Sequence, residues 1–380
     1  MNKANRVGGI DFWRGLVLVA ILIDHIPGNL LENLTPRNFG LSDSAEAFVF
    51  LSGLSVGMIY LPRARKRGWT EVARACAQRA LKLYGVHIGL TLAALLIFAC
   101  AYWLSGLDEL VEAHGRSFVF HQPASGLPGL ALMTLQIGYF NILPLYVVLM
   151  LWAPIALAVA MRRPALALAA SIGLYAASRL TGLRLPNWPE PGTWFFNPFA
   201  WQLLFTLGMI SAILWRNGPP RRVDGAVRLS LVVVGVSLVA ITGGLGLFPE
   251  LRDATMARLD IAKQDLGLAR LVHFAAVAYL ASILPGLGRL VESTAGRAIQ
   301  RLGRNGLMVF GAGSIISALG QVLLETGAGR LSREVEHLAG LAYTLAGIVV
   351  IFALVRWIEC RTPPVPPARS AFPSAVLQGQ

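Results

Sequence analysis

Apolar residues run through this chain in long blocks, broken at intervals by short basic or Gly/Pro-rich stretches. A helix of roughly 20 apolar residues crosses the hydrocarbon layer of a bilayer. Blocks of that kind fall near residues 10–31, 45–62, 80–105, 139–161, 164–181, 198–216, 228–248, 268–287, 303–324 and 337–358. The pattern predicts an all-α polytopic membrane protein of about ten transmembrane helices, a single domain over residues 1–361. Beyond it, Pro363, Pro364, Pro366 and Pro367 predict an extended, disordered cytoplasmic tail over 362–380.

Composition narrows the class. Only 14 % of residues are charged and 55 % are hydrophobic, and mean hydropathy is +0.61, too little polar surface for a water-soluble domain. The net charge of +13 does not imply nucleic acid, because the basic residues sit between apolar blocks where orientation rules place them. With the N-terminus inside, the cytoplasmic segments hold 22 basic and 4 acidic residues, the opposite side 10 and 14. That bias predicts both ends in the cytoplasm. Trp13, Trp215 and Trp357 at inner ends and Trp103, Trp188, Trp194 and Trp201 at outer ends form the expected interfacial belt. No cleavable leader is evident, and no internal repeat of the kind that builds many transporters is visible. Cys76, Cys100 and Cys360 share no short spacing and read as small apolar fillers; no metal site or bound cofactor is implied.

The first block carries the chemistry. Asp11, Arg14, Leu18, Ile21 and His25 recur at helical spacing, so Asp11, Arg14 and His25 share one stripe, and Asp11 can pair with Arg14. Ionisable groups at this depth are costly and face the bundle interior or a wet cavity. The two readings are an interfacial ion pair with a core histidine, or a functional row. Eleven residues separate Arg14 from His25, about 16 Å of helical rise, enough to hold opposite ends of one elongated ligand. Asp24, next to His25, points about 100° away around the helix. Asp43 or Glu46, at the outer start of the second block, is the alternative partner for orienting His25.

Arg14, ten residues, then His25 resembles the R-x10-H signature of the membrane acyltransferase-3 superfamily. The run Glu46-Ala-Phe-Val-Phe-Leu-Ser52-Gly53 resembles its second-helix pattern. Gln78-Arg-Ala-Leu-Lys-Leu-Tyr84 resembles its basic entry to the third helix, with Gly85 where a proline is usual. More closely, IDFWRG, DHIPGN and FGLSDSAEAFVFLSG resemble the OpgC family, osmoregulated periplasmic glucan succinyltransferases. The strong likeness covers roughly residues 8–90. It implies an enzyme of the bacterial cytoplasmic (inner) membrane that moves an acyl group, succinyl by family, from an acyl-CoA donor substrate to hydroxyls of a periplasmic glucan or other extracytoplasmic glycan.

A thioester is already activated, so the catalyst must chiefly deprotonate a hydroxyl and stabilise an oxyanion. His25 is the candidate general base, with Asp24, Asp43 and Glu46 as its acidic neighbours; an acyl-histidine intermediate stays open. By the resemblance Arg14 binds the donor, with Ser52, Arg79 and Lys82 beside it. Two plainer readings remain: positive-inside topology for the basic 63–82 segment, and helix packing beside Gly53 and Gly57 for Ser52. Ser44, Trp188 and Trp194 are candidate acceptor contacts, although an aromatic belt gives the same composition. His87 is open between packing and a donor channel, and His114, His121, His273 and His337 read as surface histidines. The competing class is a carrier, permease or flippase in which Arg14, Asp24 and His25 line a substrate or proton path.

Overall fold

The computed structural model describes residues 3–215, 220–244, 246–327 and 333–361. Helix accounts for 80 % of the structure, and no strand occurs among the described residues. The predicted tail over 362–380 lies outside them.

The chain opens with α1 (Lys3–Asp24), α2 (Ser44–Arg67) and α3 (Trp69–Ser105). Three short helices, α4 (Glu109–Glu112), α5 (Ser117–Phe120) and α6 (Pro123–Ala131), cap one end. The long elements α7 (Ile142–Arg162), α8 (Pro164–Thr181), α9 (Pro198–Leu214) and α10 (Asp224–Thr242) follow. Next come α11 (Pro249–Arg258), α12 (Leu268–Ser282), α13 (Leu287–Glu292) and α14 (Thr294–Arg304), and α15 (Gly306–Gly327) and α16 (Arg333–Arg361) close the fold.

Local chemistry sets several of these ends. Asp43 and Glu46 form a capping box on α2, each side chain satisfying a backbone N–H that the helix leaves free. Proline starts α8 and α9, where the missing N–H costs nothing. Left-handed Gly106 and Gly182 end α3 and α8. Pro27 stops α1 early, because the residue before a proline avoids the helical region. His25 therefore sits in the turn just past the helix, its amide still donating to the Leu22 carbonyl at 3.2 Å.

Each of the ten predicted blocks overlaps a helix. Among the described residues, six helices are long and apolar enough to cross a membrane: α2, α3, α7, α10, α15 and α16. α1 carries its ionisable stripe, while α9 and α12 are apolar but short, at 17 and 15 residues. α3 reaches 37 residues, beginning well before the predicted block at 80. The block at 303–324 is mostly α15, its first two residues ending the separate basic helix α14 that folds before it.

Two crossings are set by glycine. A methyl on Gly53 would lie 1.9 Å from the Phe205 carbonyl oxygen, so α2 and α9 approach at a distance only glycine permits. A methyl on Gly303 would meet the Asp11 carbonyl at the same 1.9 Å, pressing α14 onto α1. The main core gathers α1, α2, α7 and α9 side chains, among them Leu18, Leu22, Phe48, Leu149, Trp201 and Phe205. A second core, with Phe98, Leu110, Leu135 and Phe140, sits under the α4–α6 cap. Leu229, Val232, Val236 and Val239 on α10 face outward, as a lipid-facing surface requires.

Candidate functional site

Arg14 is the hub at the middle of α1. The α1–α14 contact brings the Gly303 carbonyl within 3.3 Å of its Nη1, which also donates to Asp11 Oδ1 at 3.2 Å. Its Nη2 donates to Ser55 Oγ on α2. One turn earlier on α2, Ser52 Oγ accepts from Tyr146 of α7 at 2.8 Å, and the same phenol hydroxyl reaches the Phe48 carbonyl at 2.8 Å. Arg79 and Tyr146 lie within electrostatic range of Arg14, and Arg304 within range of Asp11. Ser52 is thus a hydrogen-bonding residue while its neighbours Gly53 and Gly57 do the close packing. Ser55, one turn past Ser52, carries the direct contact and has no distinguishing signal in the sequence. Arg79 and Lys82 are exposed, and only Arg79 acts on Arg14.

His25 occupies the C-terminal end of the same stripe. With Leu18, Ile21 and Leu22 it borders α15 at Phe310, Ser314 and Ser317, around a cavity of about 10 Å³, room for one water at most. Ser317 Oγ is buried there without a hydrogen-bond partner, whereas Ser314 bonds the Phe310 carbonyl at 2.9 Å. The imidazole interacts with the backbone of Ile21. On its other side the ring of Tyr139 approaches to 4.5 Å between centroids.

The acidic residues expected to orient His25 do something else. Asp43 Oδ2 accepts from Lys263 Nζ at 2.6 Å and from Arg270 Nη2 at 2.9 Å, and Glu46 Oε1 accepts from Arg270 Nε at 2.6 Å. Glu46 is fully buried, so it needs a bonded cation, and Arg270 of α12 provides one. Burial works against ionisation of Asp43, but Lys263 and Arg270 outweigh it and hold its carboxyl well below the usual range. The turn before α12 delivers Lys263. Trp201 donates to the Lys263 and Gln264 carbonyls at 3.1 Å, and Asp265 is held by Arg184 and by Asn197 Nδ2 at 3.0 Å. Asp24 accepts from Thr35 Oγ1 at 2.6 Å and faces Arg37 at 3.8 Å. Lys263, Asp43 and Arg37 remain within electrostatic range of His25.

Two further expectations need correction. His273 is buried; its Nδ1 lies 2.7 Å from Ser42 Oγ, and Gly40 leaves room for its ring. Trp194 is only 4 % exposed, so it lies within the protein rather than offering a face to a glycan, and Ser44 is likewise buried. His114 is exposed, as read from the sequence, and its ring lies 6.2 Å from the Tyr139 ring that contacts His25. Trp188 stays open at 46 % exposure. His121 is an exposed partner of Glu112 at 2.8 Å. His87 is fully buried on α3 with both ring nitrogens unpaired, and Thr91, one turn on, has an unpaired buried hydroxyl.

The fold and site define a helical membrane protein with a polar row along one helix, an arginine hub near one end and a histidine at the other. The OpgC protein family matches residues 6–363, nearly the whole chain, and the chain belongs to it. Membership points to a membrane protein that modifies glucans. No curated protein and no solved structure matches the chain.

Proposed function

We propose that the protein is a multi-pass O-acyltransferase of the bacterial inner membrane, with about ten helices crossing the bilayer and both termini cytoplasmic. It moves an acyl group, succinyl in the reading favoured by its family, from acyl-CoA to a hydroxyl of a periplasmic glucan. The observation that carries this is the placement of His25: it lines a narrow cavity and contacts an exposed tyrosine, about 16 Å of helical rise from the Arg14 hub.

His25 takes the proton of the acceptor hydroxyl as the oxygen attacks the thioester carbonyl. A proton kept toward the Ile21 backbone leaves the other ring nitrogen free to accept. The carbon–sulfur bond breaks, and the proton passes from the imidazolium to the departing coenzyme A thiolate. Ser317 is the hydroxyl nearest in role to an oxyanion donor, since its Oγ has no other partner in the His25 cavity. Arg14 holds a polar group of the donor, with Arg79 drawing in its anionic end from the cytoplasm. Asp43, Glu46, Lys263 and Arg270 keep the outer ends of α2 and α12 together beside the histidine.

The competing carrier reading shares the polar row but leaves a thioester intact. Purified protein in lipid nanodiscs, given succinyl-CoA with and without glucan, separates the two. Release of free coenzyme A by wild type and its loss in His25→Ala are the expected results. A thioester left whole by wild type contradicts the enzyme.

A further inference from the structure

Tyr139 faces two ways. One side of its ring lies on His25, 4.5 Å between centroids with planes 49° apart, and His114 stands 6.2 Å away. Yet Tyr139 is 44 % exposed, a large aromatic surface left open directly beside the one histidine suited to act as a base.

The backbone is built to keep it there. Gly138 N donates to the His114 carbonyl at 3.2 Å, tying the Tyr139 segment to the α4–α5 connection. Thr134 clasps the loop before α9: its carbonyl accepts from Trp188 N at 3.1 Å and its hydroxyl donates to the Trp188 carbonyl at 2.8 Å. The Glu190 carboxylate of that loop reaches Gly115, next to His114, so closely that a methyl there would lie 3.2 Å from it. Three segments distant in sequence thus converge on one shelf bearing Tyr139, His114, Trp188 and Glu190. The shelf also has more polar groups than the protein satisfies, since the amide oxygens of Gln136 and Asn187 are buried on the same segments without partners.

This chemistry selects a ligand. Flat rings suit the C–H face of a pyranose, and acceptor oxygens suit its hydroxyl donors. The carboxylate of Glu190 accepts from hydroxyls but repels an anionic glycan. We propose that this shelf is the acceptor subsite, where one unit of a neutral glucan stacks on Tyr139 and turns a hydroxyl toward His25. The inference rests on the reading of His25 as the base for acyl transfer, and it replaces buried Trp194 with Tyr139 as the aromatic contact.

The test uses full-length protein in nanodiscs with succinyl-CoA and a neutral β-glucan oligosaccharide, for wild type, Tyr139→Ala, Tyr139→Phe and Glu190→Gln. Three quantities are read: KM for glucan, coenzyme A release without glucan, and direct glucan binding. Tyr139→Ala is expected to raise the glucan KM and weaken binding by about three- to tenfold. The ratio of glucan transfer to glucan-free release falls with it, while Tyr139→Phe keeps most of the wild-type KM. Glu190→Gln, which preserves shape, also raises the glucan KM. An unchanged KM in Tyr139→Ala overturns the subsite while leaving the reaction standing. Equal loss of transfer and glucan-free release overturns it too, because Tyr139 would then act on His25 alone. A wild type that binds the glucan but releases no coenzyme A removes the acyl-transfer reading and keeps the binding shelf.

Discussion

Arg270 Nε donates to Glu46 Oε1 at 2.6 Å, joining α12 to the first turn of α2 across 224 residues of sequence. The same guanidinium reaches Asp43, which also takes Lys263, so one fully buried and one partly buried acid face two cations. Removing one member leaves a charge stranded where desolvation is costly, whereas removing the set does not. Arg270→Met is therefore expected to destabilise the protein by about 3–5 kcal/mol. Adding Asp43→Asn and Glu46→Gln should return part of that loss. Thermal unfolding in detergent checks both.

The cluster also fixes an acid limit. The carboxyl of Asp43 is held below its ordinary value of 3.8 by Lys263 and Arg270 despite burial. A depressed pKa contributes stability above the unfolded value, and the contribution is lost as pH falls through the folded value. The melting temperature should fall on acidification below pH 3.8 and change little from this group above it. Asp43→Asn should be less stable at neutral pH and show a shallower acid limb.

Arg14 binds three groups with one planar fork: Asp11, the Gly303 carbonyl and Ser55. Lysine carries the charge but not that geometry. Arg14→Lys is expected to raise KM for acyl-CoA by about tenfold, an amount equal to roughly 1.4 kcal/mol, with little change in KM for glucan. Equal effects on both substrates would argue against donor binding at this end.

His87 offers a different kind of test. Its two ring nitrogens and the Thr91 hydroxyl are buried and unpaired, an arrangement that costs about 1–3 kcal/mol for each unmet group. Replacing them together by His87→Leu and Thr91→Val should raise the melting temperature. A fall would show that water or donor atoms satisfy this pair in the working protein.

Much of the scaffold is legible in the sequence. Apolar blocks of membrane length announce themselves over a whole window, and every such block overlaps a helix. The Asp11–Arg14 pair is equally visible, because residues three apart on a helix are neighbours by geometry alone. What stays hidden depends on contacts without a period. Nothing local says that Lys263 and Arg270 meet Asp43, or that His273 turns inward onto Ser42. Tyr139 gives no signal either: it falls at the start of an apolar block, and only the return of the chain past His114 and Trp188 brings it against His25. Trp194 misleads for the opposite reason, since an aromatic residue in a polar loop looks open until packing buries it.

The most direct measurement is mass spectrometry of periplasmic glucans from cells lacking the gene, complemented with wild type or His25→Ala. The expected result is a succinyl mass increment that wild type restores and His25→Ala, present in the membrane at equal level, does not. Glucan masses that are the same in all strains, or full restoration by His25→Ala, would contradict it.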